Sequence, residues 1–180
     1  DQRFVVVWAS DGPDGSASGI VGRRTNDDGT QLRREFLVNT YTTGGQTQPV
    51  VGSDATGRFV VVWKLEAQNG NGLGIFGQRF NAMGGKAGNE FQVNSVTTGN
   101  QQTPDIAVLP DGRFITVWRE ARDGSGASIA GRRFAANGVA LADNFTVNSG
   151  TAGDQILPSI SADGDGSFVV TFASYGGDDA

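Results

Sequence analysis

Short apolar, β-branched runs alternate along this chain with polar, glycine-rich stretches, and the alternation is periodic. Phe4-Val-Val-Val-Trp8 returns as Phe59-Val-Val-Val-Trp63, Phe114-Ile-Thr-Val-Trp118 and Phe168-Val-Val-Thr-Phe172, at intervals of 55, 55 and 54 residues. The rest of the unit repeats in step. Ile20-Val-Gly22-Arg-Arg24 matches Ile75-Phe-Gly77-Gln-Arg79 and Ile129-Ala-Gly131-Arg-Arg133. Phe36-Leu-Val38-Asn39 matches Phe91-Gln-Val93-Asn94 and Phe145-Thr-Val147-Asn148, and Gln46-x-x-Pro49 matches Gln101-x-x-Pro104 and Gln155-x-x-Pro158. Register this close identifies tandem copies of one structural unit.

Each unit predicts four short strands, lettered A to D. Strand A begins at Pro49, Pro104 and Pro158. Turns containing Thr56-Gly57, Asp111-Gly112 and Asp165-Gly166 then return the chain as a hairpin. Strand B is the Phe-Val-Val-Val-Trp run, too apolar to be wetted on both faces. Strand C is Ile-x-Gly-x-Arg, closed by Asp28-Gly29, Met83-Gly84-Gly85 or Asn137-Gly138. Strand D is the alternating Phe-x-Val-Asn, which sets Phe36 and Val38 on one face. Helical periodicity is absent. In chain order the strands read B-C-D, A-B-C-D, A-B-C-D, A-B, thirteen in all.

Four antiparallel strands in so short a unit, repeated in tandem, predict β-propeller blades. The expected fold is all-β and propeller-like, with about three four-stranded blades in one repeat domain over 1–180, its units at 1–40, 46–95, 101–149 and 155–174. Closed propellers need about four to eight blades. Three and a quarter blades are therefore a partial ring, either a piece of a longer propeller or one completed by other copies of itself. Phe4, Trp8, Phe59, Trp63, Phe114 and Trp118 are expected to be largely buried, the tryptophans wedged between blades.

Composition narrows the chemistry. The chain has no Cys and no His, which removes thiol nucleophiles, disulfides, zinc sites built on those ligands and His-based acid–base catalysis. A net charge of −5 opposes nucleic-acid binding. No apolar run approaches the roughly 18 residues of a membrane span. Twelve arginines against two lysines suit structured ion pairs and carboxylate contacts.

The unit, read as Gly-x-x-Phe-x-Val-Asn, Gln-x-x-Pro, Asp-Gly-x-Phe-Val-Val-x-Trp and Asp-Gly-Ser-x-x-x-Ile-x-Gly-x-Arg-Phe, resembles the tandem propeller-type repeats of large secreted bacterial surface proteins. Those proteins often carry hemolysin-type calcium-binding modules as well. Glu90-Phe-Gln-Val-Asn94 and Gly112-Arg-Phe-Ile-Thr-Val-Trp118 carry the resemblance best. It implies an exported, cell-surface binding or adhesive module associated with calcium. The calcium-binding nonapeptide itself, Gly-Gly-x-Gly-x-Asp-x-apolar-x, is absent.

Individual motifs divide between packing and chemistry. Arg24, Arg79 and Arg133 recur in every unit, which argues for an ion pair or carbonyl clamp rather than a ligand site. Asn39, Asn94 and Asn148, with Gln46, Gln101 and Gln155, bracket the D-to-A loop and can satisfy its backbone groups. The B-to-C loops are polar and acidic: Ser10-Asp11-Gly12-Pro13-Asp14-Gly15-Ser16 in the first unit, Arg122-Asp123-Gly124-Ser125-Gly126 in the third. Asp11, Asp14 and Asp123 are the candidate Ca2+ ligands, because carboxylates and loop carbonyls suit a hard cation. Ordinary Asp-Gly turns are the competing reading, and an EF-hand would need a terminal Glu. A glycosidase needs a carboxylate pair, yet the chain has only four Glu (Glu35, Glu66, Glu90, Glu120), and Glu35 and Glu90 are repeat-equivalent.

These readings favour a non-enzymatic extracellular adhesion or scaffolding module with a protein or glycan partner. The alternatives are a multivalent carbohydrate-binding lectin and a fragment of a propeller hydrolase. Because the chain starts and ends on strand B, open sheet edges are expected to drive self-association or to be covered by further blades.

Overall fold

The computed structural model describes residues 3–15, 17–66, 72–121, 126–150 and 152–176. Strands form where β-branched and aromatic residues run together, and turns form at the Asp-Gly and Asn-Gly pairs. The elements are β1 (Arg3–Asp11), β2 (Ser18–Asn26), β3 (Phe36–Leu37), β4 (Gln46–Ser53), β5 (Phe59–Glu66), β6 (Leu73–Phe80) and β7 (Phe91–Gln92). They continue as β8 (Gln101–Val108), β9 (Phe114–Ala121), β10 (Ala127–Phe134), β11 (Phe145–Thr146), β12 (Asp154–Ala162) and β13 (Phe168–Tyr175). The thirteen strands expected are thus the thirteen found among the described residues. The fold is all-β and propeller-like.

They form four antiparallel sheets: β1-β2-β3, β4-β5-β6-β7, β8-β9-β10-β11 and β12-β13, here blades 1 to 4. The central pairings are long and regular, Phe59↔Phe80 to Glu66↔Leu73 in blade 2 and Phe114↔Phe134 to Ala121↔Ala127 in blade 3. Strand D is shorter than expected, two residues in each copy. The Asn that follows leaves the ladder so that its side chain can bond strand C, and only one further backbone bond, such as Val38 N–H to Ile20 O at 2.8 Å, continues the pairing.

Strand A starts earlier than the proline. It begins at Gln46, Gln101 and Asp154, and the residue before each proline forms a bulge in the A–B register. Gln48, Thr103 and Leu157 have φ of 54°, 47° and 53°, the left-handed region that non-glycine residues seldom adopt. The bulge adds a residue, turns the strand and lets Gln48 Oε1 accept from Thr103 N–H in the next blade at 3.1 Å.

The cores lie between blades. Ile20 and Val38 of blade 1 pack against Phe59, Val61, Trp63 and Phe80 of blade 2. Val60, Val62, Ile75 and Val93 of blade 2 meet Phe114, Trp118 and Phe134 of blade 3. Val117 and Ile129 of blade 3 meet Ile160, Phe168 and Val170 of blade 4. Each interface is pinned by phenylalanines, with Phe59 and Phe80 stacked at 4.7 Å and Phe114 and Phe134 at 4.8 Å. Trp63 and Trp118 are fully buried, as their strands predict. Phe4 is not: it is 52% exposed, and Trp8 is half-buried, because among the described residues no blade packs on that face of blade 1.

Candidate functional site

In an A-B-C-D antiparallel blade, the A–B and C–D turns lie at one end and the B–C and D–A loops at the other. The turn end is closed tightly. Gly57, Gly112 and Gly166 donate N–H back to Asp54, Leu109 and Asp163. The Asp54 carboxylate accepts from Thr56 and Arg58; burial opposes its charge, but these hydrogen bonds prevail and hold its carboxyl below the usual range. Asp111, held by the Arg113 N–H and side chain, is likewise below the usual range. The A–B turns, short and saturated in this way, offer no room for a ligand. The loop end, with longer polar connections on a rigid scaffold, is the candidate site.

The arginines and amides of the repeat prove structural. Arg79 Nη1 donates to Ala136 O at 3.1 Å and Arg24 Nη2 to Ala82 O, so each strand C clamps the C–D turn of the next blade. The turn must hold glycine there. A Cβ on Gly138 (φ +84°) would sit 2.6 Å from Arg79 Nε. Arg133, which meets no C–D turn among the described residues, stacks on Phe145 and Phe168 at 5.5 and 5.1 Å. Asn39 Oδ1 accepts from Ile20 N–H at 2.8 Å and its Nδ2 donates to Gln46 Oε1 at 3.2 Å, while Gln46 Nε2 donates to Gly44 O at 2.9 Å. Asn94–Gln101 and Asn148–Gln155 repeat this arrangement. These buried amides staple the D–A loop to strand C.

Carboxylates in the same region divide similarly. Glu90 Oε2 accepts from the Thr40 and Tyr41 N–H groups of blade 1 at 2.6 and 3.2 Å, and Asn144 does the same for Ser95 in the next copy. Lys86 Nζ donates to Asn39 O and Thr40 Oγ1; burial pushes its ammonium down, with Glu90 opposing. These are blade-to-blade struts.

Of the calcium candidates, Asp11 and Asp14 lie among the described residues. Asp14 Oδ2 accepts from Asn39 Nδ2 at 2.7 Å, tying its loop to the amide staple. Asp11 is exposed at the end of β1, in register with Ser18. Asp123 lies outside the described residues. Among the described residues no three acidic or imidazole groups are gathered as a metal would require.

Among the carboxylates that depart from the repeat are two that the sequence reading passed over. Glu120, 1% exposed near the loop end of β9, occupies the position of Ser10, Leu65 and Ser174 and stands in register with Gln101. Asp105, on inner strand β8, replaces Val50 and Ser159, and its Oδ2 accepts from Ser159 Oγ and Ile160 N–H at 3.0 and 2.9 Å. The signal was available: an acid where other copies carry an apolar or neutral residue. The two lie on opposite faces of blade 3. Glu120 shares the parity of Trp118, which faces blade 2, whereas Asp105 reaches blade 4.

No protein-family model matches the chain, and no curated protein sequence matches it. Solved structures do. The chain is similar to an endo-arabinase from Bacteroides thetaiotaomicron over 94% of its own length and 66% of that chain, at 16% identity and a TM-score of 0.59. It is similar to an α-L-arabinofuranosidase from Lactobacillus brevis over 98% of its length and 63% of that chain, at 10% identity and a TM-score of 0.54. The likeness is one of fold, and the chain spans less than two-thirds of either neighbour. Both neighbours are glycoside-cleaving enzymes, which overturns the expectation of a non-enzymatic adhesion module and favours the hydrolase alternative.

Proposed function

We propose that this chain supplies blades of a glycoside hydrolase of propeller type acting on arabinose-containing polysaccharide. The carrying observation is the fold likeness, over almost the whole chain, to two arabinose-directed enzymes. Hydrolysis of a glycosidic bond needs a proton donor and a second carboxylate across the bond. Glu120 is the candidate donor, a carboxyl withdrawn from water near the loop end at a position the other copies fill without charge. Its second carboxylate must come from another blade, since Asp105 faces away. A polysaccharide is too large to cross a cell membrane, so this reading carries with it an extracellular site of action.

The test is release of reducing sugar from arabinan by the purified protein. Release is expected, and Glu120→Gln, which preserves volume, is expected to reduce it by about 100-fold or more with an unchanged melting temperature. No release from arabinan and no binding of its oligosaccharides would overturn the hydrolase reading. Undiminished release by the variant would overturn the role of Glu120.

A further inference from the structure

On the turn side of the first interface, a groove of ≈ 660 Å³ runs between the C–D loop of blade 1 and the C–D turn of blade 2. Its floor is apolar: the half-buried Phe36 ring, held by Phe59 and Phe80, and Met83, 69% exposed. Its rim is cationic. Arg24 forms a fixed wall through its bond to Ala82 O, and Arg33 and Arg34 stand exposed above the floor. The remaining lining carboxylate, Glu35, is engaged by Arg23. Neither Arg33 nor Arg34 has a carboxylate partner among the described residues, although the chain carries net charge −5.

The feature belongs to one copy. Arg33-Arg34 stand where the second unit has Gly88-Asn89 and the third Ala142-Asp143. Packing of the blade therefore does not require them. Guanidinium forks match carboxylate geometry in pairs, and a flat apolar floor accepts the C–H face of a sugar ring. We propose that this groove binds a uronate-bearing, acidic oligosaccharide, its carboxylates on Arg33 and Arg34 and its ring faces on Phe36 and Met83. The choice of a sugar over another anion rests on the function proposed above, but binding is measured without turnover, so the two readings fail separately.

The experiment is calorimetric titration of the 180-residue protein at low salt with an oligogalacturonate, a neutral galacto-oligosaccharide of equal length and a polyglutamate of equal charge. The oligogalacturonate is expected to bind, more weakly as salt rises. Arg33→Ala with Arg34→Ala is expected to lose at least about tenfold in affinity, and the Lys pair to recover only part of it. Both double variants should melt as the parent does, because the two side chains support no packing. Absence of oligogalacturonate binding, equal binding of the neutral sugar, equal binding of polyglutamate, or full affinity in the Ala pair would each overturn the proposal.

Discussion

The two inner blades and the two outer ones carry the same strand sequence and reach different ends. Phe59 and Phe114 are 1% and 0% exposed, whereas Phe4, at the same position of blade 1, is 52% exposed. Trp63 and Trp118 are wholly buried; Trp8 is half-buried and Phe172, their counterpart in blade 4, is 37% exposed. The strand exists in every copy because its residues favour a pleated, half-buried backbone. Its burial is supplied by the neighbouring blade and by the rest of its own sheet: Phe172, on the face by which Phe168 and Val170 meet blade 3, lies at the edge of a two-stranded sheet. In this fold a strand's stability belongs to the interface as much as to the strand.

The strongest way to break this comparison is to cover the open faces. The isolated 180-residue protein is expected to self-associate through the faces displaying Phe4, Val6 and Val169. Sedimentation at increasing concentration checks this, and Val6→Lys with Val169→Lys, on the open faces, should weaken the association. A stable monomer at about tens of micromolar would show that the end faces are tolerated.

Tryptophan truncation should sharpen the contrast. Trp63→Ala is expected to cost about 3–5 kcal/mol in urea unfolding, from loss of a fully buried ring between blades 1 and 2. Trp8→Ala, on the uncovered face, should cost well under half of that. Equal losses would mean that burial within a blade, not between blades, sets the stability.

Glycines at the C–D turns give a smaller version of the same test. Gly29 and Gly138 have nearly the same φ, +82° and +84°, but a Cβ on Gly29 meets nothing within 4 Å while one on Gly138 meets Arg79. Gly29→Ala should therefore cost only the left-handed backbone penalty, about 1–2 kcal/mol. Gly138→Ala should add about 1 kcal/mol, because Arg79 must release Ala136 O. Equal melting temperatures for the two variants would show that the clamp is dispensable.

The smallest effect concerns pH. Asp54 in blade 2 ionises below its ordinary 3.8 in the folded protein, burial opposing and the Thr56 and Arg58 hydrogen bonds prevailing. A depressed folded pKa contributes stability that is full above the unfolded value and fades as pH falls through the folded one. The urea midpoint should thus drop below about pH 4, and Asp54→Asn should flatten that drop. An unchanged acid limb in the variant would assign the loss to the other turn carboxylates, Asp111 and Asp165, whose carboxyls are also held low by hydrogen bonds from Arg113 and Ser167.

What the sequence determined by itself is everything set within one copy or by comparison of copies. Alternation and β-branching specify the strands, Asp-Gly and Asn-Gly specify the turns, and the spacing of Phe4, Phe59, Phe114 and Phe168 specifies the blades. The bracketing of the D–A loop by Asn39 and Gln46 was legible for the same reason. What lies between blades was settled by tertiary structure. Only packing shows Arg79 on Ala136 O, Phe4 uncovered, Asp14 bonded to Asn39, and the A strands beginning three or four residues before their prolines. The reason is physical: hydrogen-bond periodicity and turn propensity act over a few residues, whereas burial and side-chain partnership depend on which surface arrives from about 55 residues away.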